Sequence, residues 1–90
     1  MYRITLACSG VPIDLGPQAA VDIAEEFSNR PWHTNVSCIW QDGQLILQAE
    51  NDVDATGEAL NDEFSDAICA CLPPFDGNIV TLSVLRSVAP

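Results

Sequence analysis

Lysine is absent from this 90-residue chain, and between Pro31 and Leu85 there is no arginine either. Thirteen carboxylates stand against three arginines, giving a formal charge of −10. Such a field repels phosphate backbones and anionic lipid, and attracts basic protein surfaces or divalent cations. Nucleic acid and membranes are therefore not expected as partners, whereas a protein with a basic surface is. Long apolar runs are also missing. No stretch approaches the ~20 residues that cross a bilayer, and Gly10 and Pro12 interrupt the start of the chain before it reaches signal-peptide length. The cytoplasm is the expected address.

Other shortages bear on chemistry. The glycines are isolated, so no glycine-rich loop is present to cradle a phosphate. The single histidine, His33, has no nucleophile or acid that the sequence places beside it. Cys69-Ala-Cys71 lacks the two-residue gap of a zinc knuckle, and Cys8 and Cys38 are remote singles, so free thiols are expected. No catalytic residue and no cofactor is assigned on these grounds, and the chain is expected not to be an enzyme.

What is present is order. Hydrophobic residues make up 48% of the chain and are regularly spaced, unlike a solvated acidic tail. One domain, 1–90, is the expectation for this length. Tyr2 to Cys8 alternates as a half-buried strand. Pro17 suits a first helical turn; Ala20, Ile23, Ala24 and Phe27 follow at helical spacing, and Asn29 and Pro31 end the segment. Thr34 to Gln41 and Gln44 to Glu50 read as strands joined by Asp42-Gly43, a two-residue hairpin turn. That turn sets Trp40 against Leu45, Cys38 against Leu47, Val36 against Ala49 and Ile39 against Ile46. A second helix begins within 54–58 and runs to about Cys71, before Pro73-Pro74. Ile79 to Val88 closes the chain as a strand.

The order β-α-β-β-α-β with one central hairpin predicts an α+β, ferredoxin-like split β-α-β sandwich. Its antiparallel sheet has strand order 4-1-3-2, with both helices on one face. Folds of this kind host many unrelated activities, so function must be sought in sites.

Seven of the thirteen carboxylates lie in the seventeen residues from Glu50 to Asp66. Within them Asp52, Asp54, Thr56, Gly57 and Glu63 match a loosened calcium-loop pattern of EF-hands, in which Glu58 is a further candidate oxygen ligand. Against that reading, an EF-hand needs an entering helix where 44–50 reads as a strand, and the ninth position is Leu60, a core residue. Asp54, Glu58, Asp62 and Asp66 also stand at successive i+4 steps, a spacing at which like charges cost a helix roughly 0.2–0.5 kcal/mol per pair. The leading expectation is a small non-catalytic interaction or regulatory module that meets a protein through Glu58, Asp62 and Asp66 or through its open sheet face. A calcium-binding loop over 52–63 and an inhibitor that mimics nucleic acid are the alternatives.

The bare face of such a sheet would carry Thr5, Ile39, Ile46, Thr81, Ser83 and Leu85. Its apolar part is expected to pair two copies of the chain, and Trp32, in a connection beside Pro31, is a further contact candidate.

Overall fold

The computed structural model describes residues 1–86 and carries the elements in the expected order: β1 (Tyr2–Ser9), α1 (Gly16–Phe27), β2 (Thr34–Gln41), β3 (Gln44–Asn51), α2 (Glu58–Cys71) and β4 (Asn78–Arg86). All strands pair antiparallel in the order β2-β3-β1-β4, the expected order read from its other edge. The expected extension of the last strand to Val88 lies outside the described residues.

The hairpin forms because Asp42 and Gly43 both adopt positive φ, 53° and 76°, as a type I′ turn requires. Trp40–Leu45, Cys38–Leu47 and Ile39–Ile46 are partners as the turn dictates. Further along, the register shifts between Thr34 and Ser37, interrupting the pairing where Val36 was expected against Ala49. Asn35, with φ 49°, sits in that irregularity.

Alternation delivers Ile4, Leu6 and Cys8 of β1 and Leu45, Leu47 and Ala49 of β3 to one face. There they join Ala19, Ala20, Ile23 and Phe27 of α1 and Leu60, Phe64, Ala67 and Ile68 of α2 in a single buried cluster, so both helices cover the same side. Phe27 and Phe64 are the largest side chains fully removed from water, each worth about 1.5–3 kcal/mol of transfer free energy. Trp40 closes the β2 side of this layer against the first turn of α1. A β-carbon added at Gly16 would stand 2.4 Å from its ring, so only glycine permits that approach.

The expected faces of Ile79, Val80 and Thr81, at the start of β4, are reversed. Thr5 pairs with Ser83 but Leu6 pairs with Thr81, which leaves Leu82 as an inserted residue. This bulge reverses the alternation of β4 on either side of it. Thr81 therefore pairs with the inward-facing Leu6, its methyl 3.8 Å from where a Gly57 β-carbon would stand, and Val80 replaces it on the open face. Ser83 and Leu85 remain where the sequence puts them.

Candidate functional site

Three neighbourhoods hold the polar and accessible groups that function would draw on. The first is a knot around the lone histidine. The His33 side chain is fully buried, with Nε2 2.7 Å from Glu63 Oε2, while Arg30 Nε reaches the other Glu63 oxygen at 3.1 Å. Asn51 Nδ2 stands 3.4 Å from His33 Nδ1. Trp32, 42% exposed, tilts over the imidazole at a centroid distance of 3.7 Å, and Phe27 meets it edge-on at 5.7 Å. No face of this ring is open to a substrate, so the knot ties the α1–β2 connection to α2 and carries no reaction. Trp32 is accordingly a lid on His33 as well as a surface residue.

The second neighbourhood is the acidic segment. Asp54 is buried and accepts hydrogen bonds from the Ala59 and Leu60 amides at 3.3 and 2.9 Å, satisfying donors that the first turn of α2 leaves open. Asn51 Oδ1 in turn accepts from the amides of Val53 and Asp54. Gly57 stands just ahead of the helix at φ 81°, and Thr56 Oγ1 accepts weakly from the Glu58 amide at 3.4 Å. Asp52 is exposed and 3.7 Å from the N-terminal amine.

The calcium-loop reading fails on this geometry. Asp54 spends both oxygens on backbone amides and Glu63 spends both on Arg30 and His33. Residues 44–51 are a strand, and no group of three or more His, Cys, Asp or Glu among the described residues is arranged to hold a metal. Glu58, Asp62 and Asp66 are exposed on α2, but Asp54, the first of the i+4 row, is not part of that surface. Glu58 and Asp62 line a shallow polar recess of about 290 Å³ with Thr56, Asn61 and Thr81.

The third is a pocket that sequence reasoning missed. It lies between the C-terminal end of α2, the 72–77 connection and the adjoining ends of β1 and β4, and holds about 340 Å³. Ile68, Leu72, Pro73, Pro74, Phe75 and Ile79 form its apolar wall, and Cys8, Ser65 and Cys69 supply its polar atoms. Among the described residues, no carboxylate, arginine or histidine lines it. Burial pushes the Cys8 thiol above its ordinary range, so it enters as a neutral S–H. Cys69 is exposed at the rim, on the outward side of α2 as expected. The missed signal was compositional: Leu72 and Phe75 are large apolar residues in a connection otherwise built of turn formers.

On the open sheet face, Ile39 (48% exposed) and Leu85 (56%) are accessible and Ile46 is half-buried beside Ile39. Arg3 and Glu50 pair there at 3.2 Å. The Glu50 carboxyl lies below its ordinary pKa, chiefly because the Asn35 amide donates to it and secondarily through Arg3; together these outweigh its burial.

No protein-family profile and no curated protein matches the chain. Among solved structures it is similar to one titled "Crystal structure of antibiotic biosynthesis monooxygenase", with a TM-score of 0.62 and 14% identity over 99% of this chain and 100% of that one. At that identity the likeness establishes the ferredoxin-like fold. It also overturns the expectation of a non-catalytic module and of no enzyme, since the same architecture, end to end, is found in a protein titled as a monooxygenase; the chain has, besides, a mostly apolar cavity that the sequence did not reveal. No helix among the described residues is long and apolar enough to cross a membrane.

Proposed function

We propose that this chain is a small-molecule enzyme whose substrate, uncharged and largely apolar, sits in the pocket lined by Cys8, Ile68, Cys69, Phe75 and Ile79. The observation that carries this reading is the chemistry of the lining: some 340 Å³ of mostly hydrocarbon wall with three weakly polar groups and no charge among the described residues. Pockets of this size and character are where small ligands are held. A neutral ligand also suits a chain of net charge −10, whose field disfavours anions. The Ser65 hydroxyl both donates and accepts, so it suits a ligand hydroxyl or carbonyl. The likeness to a monooxygenase supports oxygenation as the reaction class: one oxygen atom of O₂ enters the substrate, and the other leaves as water, taking two electrons from the substrate or an added reductant and two protons from the substrate or solvent. Four cysteines without a disulfide suit a reducing compartment, which supports the cytoplasm as the address.

Two measurements test it. Amide chemical shifts followed during titration with 1-naphthol should move at Cys8, Ser65, Cys69 and Phe75, and should move far less with the anion 1-naphthoate. Oxygen uptake with the compounds that bind should exceed that without protein, and Ile68→Trp, which fills the pocket, should abolish both signals. Shifts scattered over the surface, or binding without any turnover of a panel of neutral phenols, would remove the pocket or the enzyme respectively.

A further inference from the structure

The apolar pocket holds two thiols in different settings. Cys8 is 2% exposed, its Sγ donates to the Ser9 carbonyl oxygen at 3.6 Å, and burial keeps it as a neutral S–H. Cys69 lines the same cavity from α2 and is open to solvent. One turn earlier on that helix, Ser65 lines it too. Among the described residues no group takes up the Ser65 hydroxyl, so its O–H is available to a ligand.

The spacing of Ser65 and Cys69 defines what they can serve together. At i and i+4 of one helix their β-carbons stand ~5–6 Å apart on a shared face, and both side chains lean the same way along the axis. A donor and a soft nucleophile so placed fit a ligand whose acceptor oxygen and electrophilic carbon are separated by intervening atoms. In an α,β-unsaturated carbonyl compound the electrophilic β-carbon stands two bonds beyond the carbonyl carbon. In an epoxide or a simple aldehyde it adjoins the oxygen, which leaves one of the two side chains out of reach.

The rest of the pocket suits such a ligand. Ile68, Leu72, Phe75 and Ile79 enclose a hydrocarbon body, and close contacts hold that wall in place. A β-carbon at Gly77 would collide with the Phe75 ring, and one at Gly10 with the Asp76 carbonyl oxygen. A preformed wall raises the local concentration of a bound electrophile beside Cys69, which turns a slow encounter into a fast reaction. An anionic thiol reagent such as glutathione disulfide finds no cation to hold it, since residues 31–85 contain neither arginine nor lysine.

Resting on the reading of this pocket as a ligand site, we propose that it captures neutral α,β-unsaturated carbonyl compounds covalently, with Ser65 donating to the carbonyl oxygen and Cys69 adding to the β-carbon. The Cys69 thiol gives its proton to water and Sγ forms a bond to the β-carbon. The π pair of the C=C bond shifts toward the carbonyl, giving an enolate whose oxygen the Ser65 hydroxyl holds, and the α-carbon then takes a proton from water. Nothing leaves and no oxidant or reductant is needed, so the chain gains the whole mass of the ligand. The adduct fills the cavity and thereby stops the turnover of any neutral substrate there.

Intact-mass spectrometry of the native protein with benzylideneacetone at pH 8 tests it, with the saturated analogue benzylacetone as a ligand that cannot react. Wild type should gain a single benzylideneacetone, mapped to Cys69, at a rate that saturates with concentration, while iodoacetamide labelling of Cys69 rises in simple proportion. Ser65→Ala should slow the saturated rate roughly tenfold, through loss of a hydrogen bond to the developing oxyanion, and leave the iodoacetamide rate unchanged. Cys69→Ser should form no adduct and still show amide shifts at Cys8 and Phe75 on titration with benzylacetone. Addition that never saturates, that spreads to the other thiols, or that Ser65→Ala does not slow overturns the capture, while the benzylacetone shifts keep the pocket reading standing. Absence of those shifts overturns both.

Discussion

Asn51 fixes the tautomer of His33. The Asn51 carbonyl oxygen is committed to the amides of Val53 and Asp54 at 3.0 and 2.7 Å, so its NH₂ must be the group facing His33 Nδ1. That nitrogen then accepts, and Nε2 carries the hydrogen donated to Glu63. One side chain thus couples the loop ahead of α2 to the ring that anchors the α1–β2 connection.

Removing the ring breaks two partners at once. His33→Ala should cost about 2–4 kcal/mol in urea unfolding, because it opens a void under Trp32 and strands the Asn51 amide and one Glu63 oxygen. Glu63→Gln keeps the volume and one acceptor, and should cost about 1–2 kcal/mol. Equal losses for the two variants would show that Glu63, not the ring, holds the knot together.

The Asp54 carboxylate gives a second, independent expectation. It serves two amides of the first helical turn, so Asp54→Ala should destabilise by about 1–2 kcal/mol, with Asp54→Asn intermediate since it keeps one acceptor. The calcium-loop reading makes the opposite demand, that the loss appear only with metal present. Unfolding curves recorded with EDTA and with calcium should superimpose for wild type and variant alike.

The strands, the hairpin register from the turn out to Cys38–Leu47 and the core faces of both helices were legible because they rest on local periodicity and on one decisive turn, Asp42-Gly43, whereas the shift that breaks the expected Val36–Ala49 pairing leaves no local mark. The open-face positions of Ile39 and Ile46 followed from the same register. Thr81 was misplaced because a bulge adds a residue at Leu82 without any local mark in the sequence. Asp54 and Glu63 looked like two members of one acidic cluster, yet the fold turns them to different partners: a helix terminus, and a histidine thirty residues upstream. The pocket was invisible for a related reason. Its wall joins Cys8 of β1 to Leu72 and Phe75, contacts that only the tertiary arrangement creates.

Acid should weaken the fold through Glu50. Its pKa is held below the ordinary 4.5 by Asn35 and Arg3, so the unfolded chain takes up a proton there at higher pH than the native one. Stability from this group is fully present above the unfolded value and is lost as pH falls through the folded value. Glu50→Gln should therefore flatten the decline in thermal midpoint below about pH 4.5 while leaving the rest of the profile in place. An unchanged acid limb would assign the decline to other carboxylates.

The thiols should separate by burial when the native protein is alkylated at pH 8. Burial, with lesser contributions from Cys8 and Cys71, pushes Cys38 up to about 12, leaving roughly one thiolate in 10⁴. Burial also raises Cys8, and Cys71 is raised by burial and then by the carboxylates of Asp22, Glu26 and Glu25. Cys69, exposed at the pocket rim, should react first with iodoacetamide, and peptide mass spectrometry should find the other three labelled only as the protein unfolds. A neutral ligand that fills the pocket should slow the labelling of Cys69 several-fold without changing the order of the rest. Loss of protection in Ile68→Trp would tie that effect to occupancy of the cavity; protection that persists there would mean the ligand shields Cys69 from outside it.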